Sequence, residues 1–218
     1  SLLAKSYDKV GMNSDADYFF DRLFSEHSDS VYTHWGYIYM AEGMESSGNS
    51  SKAKTLYEKA LKDTNDLDVG LEAAYKLILN NITSSNYKDA AVHVQKIIKV
   101  RPQFFGADNL DTSIGVMYDF ADNGDFISSS AVAKVIFEKM DEEHDEYESI
   151  CKNIGIWLSK TDQKKEALLA LNFYLEKFED GKFEKEVQIT KDELFFDIKA
   201  FWRFDIFEID ATQGGFHG

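Results

Sequence analysis

Residues 35–60 read WGYIYMAEGMESSGNSSKAKTLYEKA, and two patterns inside this stretch decide the fold. Trp35, Gly36 and Tyr39 share one helical face. After a polar interruption, Ala53, Tyr57 and Ala60 follow at spacings of four and three. Such spacings place side chains in a single stripe along a helix. The stretch therefore predicts a helix, a break and a second helix with a small residue facing its partner.

The same grammar returns in both directions. Toward the N-terminus, Leu3, Ala4 and Tyr7 precede a polar break at Asn13-Ser14-Asp15, and Ala16, Phe20 and Leu23 follow it. Toward the C-terminus, Ala73, Ala74 and Leu77 lead to Ala90, Val94 and Ile97, with Pro102 closing the unit. Ile114, Gly115 and Tyr118 lead to Ala133, Phe137 and Met140, and Ile154, Gly155 and Leu158 lead to Ala167, Leu171 and Tyr174. The alanine that opens each second helix steps by 37, 37, 43 and 34 residues. The extra residues are expected in longer inter-helix loops, Glu42 to Ser51 in the second unit and Asp122 to Ser130 in the fourth.

These residues resemble the tetratricopeptide-repeat (TPR) pattern, in which a W-x2-L-G-x2-Y helix is followed by an A-x3-F-x2-A helix and then a proline, with a period of about 34 residues. Only Pro102 stands at the closing position, and the aromatic that should open each first helix is mostly missing. The resemblance covers residues 1–181, in units of about 1–28, 29–65, 66–102, 103–145 and 146–181. It implies an all-α fold, a right-handed superhelical solenoid of about five divergent helix pairs, in which a Gly or Ala on the first helix lets the second approach closely.

After Gly181 the grammar changes, and residues 182–218 read as a capping or docking segment. Glu186 to Thr190 alternates apolar and polar, which suggests a short extended piece. Leu194, Phe195, Ile198, Phe201 and Trp202 then form the wide stripe of an amphipathic helix, with Thr190 or Asp192 as its cap. Solenoids usually end on a polar face, because an open end exposes core. This stripe either folds back over the last repeat or docks a partner.

The resemblance also implies a concave groove lined by first helices. The position after the small residue reads Lys5, Tyr37, Tyr75, Val116 and Ile156. A second lining position reads Asp8, Met40, Ile78, Asp119 and Ser159. The expected partner-binding set is Tyr37, Met40, Tyr75, Ile78, Val116 and Ile156, joined by Phe195, Phe201 and Trp202 at the C-terminus. Part of the groove set would serve equally well as core between repeats. The carboxylate clamp of chaperone-binding relatives is not expected, because Ser1, Lys5, Thr33 and Tyr37 occupy its positions.

Nothing in the pattern suggests catalysis, a cofactor or a metal. There is no H-E-x-x-H, no Gly-rich phosphate loop and no pair of cysteines. His27, His34, His93, His144 and His217 never fall three or four residues apart, so no helical metal pair exists. His34 reads as packed or solvent-facing, and Cys151 as a small buried hydrophobe. Asp63 to Asp68 and Asp119 to Gly124 imitate calcium loops. However, Leu67 and Ala121 stand where ligands are needed, so both read as caps and turns.

Composition bounds the rest. One proline among 218 residues fits a mostly helical chain. A formal charge of −15 disfavours nucleic acid and anionic lipid surfaces and suits a neutral or basic protein. The acidic run Asp141 to Glu148 reads as a solvated face, or alternatively as a contact for a basic segment. No apolar run reaches the roughly 18 residues a membrane span needs. The sequence opens on Ser1, so a trimmed start is expected, and any signal peptide would then be invisible in it.

The expected role is thus a non-enzymatic scaffold or adaptor for a protein or peptide partner. The alternative is a regulatory or substrate-recruiting domain of a larger multidomain enzyme. The bias toward Lys, Asp, Asn, Ser, Phe and Ile suggests an AT-rich bacterial source. In that setting the texture is somewhat similar to periplasmic flagellar-motor scaffolds of the paralysed-flagella type, which favours a periplasmic over a cytoplasmic location.

Overall fold

The computed structural model describes residues 13–106 and 109–213, with side chains placed within 18–199. Among the described residues there are ten α-helices, one 3-10 turn and no strand. The helices are α1 (Asn13–Glu26), α2 (Val31–Ser46), α3 (Ser50–Asp63), α4 (Leu67–Thr83) and α5 (Tyr87–Val100), then α6 (Leu110–Asp122), α7 (Phe126–Phe137), α8 (Tyr147–Ser159), α9 (Lys164–Lys177) and α10 (Glu184–Gln213). Pro102 starts the 3-10 turn Pro102–Phe105, a position where its missing N–H costs nothing. The chain divides into two compact units, one ending at Phe104 and one beginning at Phe105.

The first unit packs α2 on α3, α3 on α4 and α4 on α5, with α1 on α2; the alternate helices α2 and α4 also touch. The second-helix stripes form its centre: Ala53, Tyr57 and Ala60 on α3 and Ala90, Val94 and Ile97 on α5 are all buried. A polar clasp ties three helices together. Glu45 of α2 accepts hydrogen bonds from Tyr57 Oη of α3 at 3.0 Å and from Asn80 Nδ2 of α4 at 2.8 Å. Asn80 also donates to the Ser50 carbonyl at 3.1 Å, so its buried amide is satisfied.

The second unit repeats the scheme, with α6 on α7, α7 on α8, α8 on α9 and α9 on α10, while α8 also touches α10. Ala133, Ala167, Leu171 and Tyr174 are buried as the periodicity predicts. In α7 the stripe slips by one residue: Ile136 is fully buried and Phe137 only partly so. Phe137 instead stacks on Tyr147 at 4.5 Å between ring centres.

Three of the helix-to-helix turns share one design. Gly48, Ser85 and Gly124 adopt positive φ (82°, 58° and 81°), and the next residue's N–H reaches back five residues: Asn49 to Met44, Asn86 to Asn81 and Asp125 to Phe120. This is the Schellman arrangement, which satisfies carbonyls that a helix end would leave bare. Each such turn occupies only three residues.

Several expectations are therefore corrected. The loop expected over Glu42 to Ser51 is helical as far as Ser46 and resumes at Ser50. The one expected over Asp122 to Ser130 shrinks to Asn123–Asp125. Ser128, Ser129 and Ser130 are buried in α7, acting as small packing residues rather than turn formers. The extra length sits in the longer first helices and in residues 138–146 before α8. Residues Glu186 to Thr190 are helical, and α10 begins at Glu184, so Thr190 and Asp192 lie inside it and do not cap it. Val187 and Leu194 are buried there, which places the start of α10 on α8 and α9 as a further first helix. Asn13-Ser14-Asp15 opens α1 rather than preceding it. Leu3, Ala4, Lys5, Tyr7 and Asp8 lie outside the described residues.

The glycines divide by role. A Cβ on Gly155 would lie 2.7 Å from Leu171 Cδ2 of α9, the close approach the pattern implied. Gly36 instead faces α1, where a Cβ would meet Leu23 Cδ2 at 2.9 Å, and Gly115 faces open space.

Candidate functional site

Burial along the first helices shows which of the side chains expected to line a groove are accessible. Tyr37 (8% exposed), Tyr75, Ile78 (0%) and Val116 are buried, whereas Met40 and Ile156 are half-buried. Tyr37 stacks on Phe24 of α1 at 4.4 Å, and Tyr75 meets Phe104 edge-on at 5.5 Å. Those four side chains serve as core. A first helix packs against its own partner and its neighbours, so only a narrow stripe stays open.

On α2 that stripe leaves out Tyr37 and runs through Tyr32, Trp35 and Tyr39, with Met40 beside it. Tyr32 is 65% exposed, and Trp35 and Tyr39 are half-buried, their rings stacked at 5.8 Å. On α4 the partly open residues include Glu72, Lys76 and Leu79. Lys76 Nζ bridges the two helices, 2.8 Å from Glu42 of α2 and 3.7 Å from Glu72 of its own helix. Burial disfavours the charged ammonium, but Glu42 and Glu72 outweigh it and raise its pKa. The Trp35–Tyr39 pair was visible as a helical face in the sequence. Assigning it to the fold's interior motif hid its accessibility.

In the second unit, Ile156 and Ser159 lie on the half-open stripe of α8, and Asp119 is exposed on α6. Lys152 reaches from α8 to Glu186 of α10 at 3.4 Å and lies 4.5 Å over the Phe183 ring. On α10, Phe195 is 47% exposed, with Phe196 and Ile189 also open. The side chains of Phe201 and Trp202 lie outside those described.

The acidic run is partly used inside the fold. Glu142 pairs with Lys177 at 2.7 Å, Glu146 accepts from Tyr118 Oη at 2.8 Å, and Glu148 accepts from Tyr174 Oη at 2.6 Å. Asp141, Glu143 and Asp145 face solvent. Thr33 of α2 is buried and donates to the carbonyls of His27 and Leu23, a structural role. Asp66 caps α4 by accepting from Val69 N at 3.0 Å, as its reading as a cap requires.

No group of three or more His, Cys, Asp or Glu among the described residues could hold a metal ion, and no described helix is long and apolar enough to cross a membrane. Cys151 is buried, and burial pushes its thiol pKa up to about 12, opposite to what a nucleophile needs.

No protein-family model matches the sequence, and no curated protein matches it either. Solved structures do. The fold is similar to that of YrrB, described as a TPR protein with an unusual peptide-binding site, at a TM-score of 0.51 and 15% identity, covering 79% of this chain and 81% of that one. It is also similar to MamA (AMB-1), at a TM-score of 0.50 and 17% identity, covering 79% of this chain and 86% of that one. The chain thus has the all-α helical-repeat fold of TPR proteins. The similarity to flagellar-motor scaffolds has no counterpart among these neighbours.

Proposed function

We propose that this chain is a non-enzymatic adaptor holding a protein or peptide partner along the open stripe of its first helices. Tyr32, Trp35 and Tyr39 are the anchors on α2. Met40 contributes at its edge, with Tyr37, Tyr75 and Ile78 buried behind it. In the second unit, taken by itself, Ile156 lies on the half-open stripe of α8 and Val116 is buried in α6. The apolar stripe of α10, with Phe195, Phe201 and Trp202, is a second contact.

The observation that carries this reading is the stacked, half-open Trp35–Tyr39 pair beside exposed Tyr32. Large aromatics are enriched in protein interfaces, because they give much contact area for little lost rotamer freedom. The Glu42–Lys76–Glu72 cluster next to them offers a mixed, net-acidic rim. The peptide-binding site attributed to YrrB, on the same fold, is consistent with a peptide partner.

The test is a photo-crosslinking side chain placed at Tyr32 and, as control, at exposed Val92 on α5. Expression in the native source should give adducts with one protein from position 32 and few from position 92. Adducts only from position 92 would move the site to the second helices. A place in a bacterial envelope or flagellar-motor assembly, with a periplasmic location, rests on composition alone. Fractionation of the same source reads it directly.

A further inference from the structure

Where the turn before α2 meets the turn before α4, the first unit opens a cleft of about 550 Å3. That falls within the range of built ligand sites, about 300–1,000 Å3. Asp29, His34, Tyr37, Lys59, Asp63 and Asp66 line it. Three carboxylates face one ammonium, and the ammonium is already taken. Lys59 Nζ pairs with Asp63 at 2.9 Å and sits 5.0 Å over the Tyr37 ring.

That leaves two carboxylates with capacity to spare. Asp66 spends one oxygen on the Val69 N–H at the start of α4. Asp29 is exposed, and its carboxylate has no partner within the protein. A second observation points independently to a ligand. His34 is 6% exposed and lines the cleft, and its imidazole makes no hydrogen bond within the protein, interacting only electrostatically with Asp63. A neutral imidazole offers one acceptor nitrogen and one donor.

We infer that this cleft receives an arginine side chain of a basic partner segment. Asp29 and Asp66 meet the guanidinium, and His34 supplies an acceptor beneath them. A guanidinium presents five N–H donors in one plane, which suits acceptors spread over two turns better than a compact ammonium does. The overall charge of −15 favours approach of such a segment. The inference rests on the reading that the chain holds a protein partner, but it concerns a different surface from the α2 stripe. Its test uses no partner, so the two can fail separately.

The probe is the capped peptide acetyl-Gly-Arg-Gly-amide, with its citrulline counterpart as an isosteric neutral control. Both are titrated into the 15N-labelled chain at fixed ionic strength. The expected result is saturable shifts confined to amides of residues 28–37 and 59–66 with the arginine peptide, and none with citrulline. The double variant D29N/D66N should weaken binding about fivefold or more, the loss of two exposed charge pairs. Asn still caps a helix well, so α4 keeps its start in that variant. The control E143Q/D145N removes the same charge from an exposed segment and should leave the affinity unchanged. Equal binding of the citrulline peptide, equal loss in both double variants, or shifts scattered over the acidic surface would each overturn the proposal.

Discussion

Gly155 of α8 and Leu171 of α9 approach so closely that a methyl group on the glycine would lie 2.7 Å from Leu171 Cδ2 and 3.2 Å from the Leu171 backbone nitrogen. A side chain can rotate away, but backbone cannot. G155A should therefore push the helices apart and destabilise the chain by about 1–3 kcal/mol, the usual cost of overpacking. G115A should do the reverse. Gly115 is exposed within α6 with nothing within 4 Å, so alanine should add about 0.5–1 kcal/mol through helix propensity. Urea unfolding of both variants checks the pair. Equal effects would show that the α8–α9 contact is not tight.

Ser85 sits at φ 58° in a turn whose counterparts carry Gly48 and Gly124. A side chain in the left-handed region costs roughly 1–2 kcal/mol, part of which glycine gives back through its larger unfolded-state entropy. S85G is expected to raise stability by about 0.5–1 kcal/mol. A thermal midpoint that falls instead would mean the serine side chain makes a compensating contact.

These positions also show how far the sequence could be read. The second-helix stripes were legible, because an alanine followed at four and seven by further apolar residues specifies one buried face. Ala53, Tyr57 and Ala60 meet that expectation in full. Turn lengths were not legible. Gly43 and Ser46 look like loop residues yet continue α2, and the serines of α7 are buried because small side chains let neighbouring helices close in. The open stripe was misplaced for a related reason. A helix wedged between several others exposes so little that a shift of two residues exchanges Trp35 or Tyr39 for buried Tyr37. The cleft holding His34 draws on two turns about thirty residues apart, and its only signal was the polar run after Asp63, whose Asp66 does cap a helix.

Alkaline pH should weaken the fold. Burial raises Cys151 to about 12 from an ordinary value of 9.0, and burial also raises Tyr57, Tyr118 and Tyr174. A folded state that holds its protons more tightly than the unfolded chain is favoured while both are protonated, and loses that advantage as pH rises. Stability should therefore be flat below about pH 9 and fall between pH 9 and 12, with C151A falling less steeply. Native Cys151 should also resist thiol reagents at pH 8 and react at once in urea. A thiol that reacts freely in the native chain would contradict its burial.

Tyr174 links the last helix to the rest of the second unit. Its hydroxyl donates to Glu148 Oε1 at 2.6 Å and accepts from the Phe183 N–H at 3.0 Å, just ahead of α10. Replacing it with phenylalanine leaves a carboxylate and a backbone N–H without partners, while the ring's packing stays in place. Losing a charge-assisted bond and orphaning a polar group cost about 1–3 kcal/mol. Because both partners lie at the docking of α10, Y174F should speed hydrogen exchange at Val187 and Leu194 well beyond its effect on α4 in the other unit. Uniform acceleration through both units would mean that the bond stabilises the chain globally, and that α10 is not held by this contact.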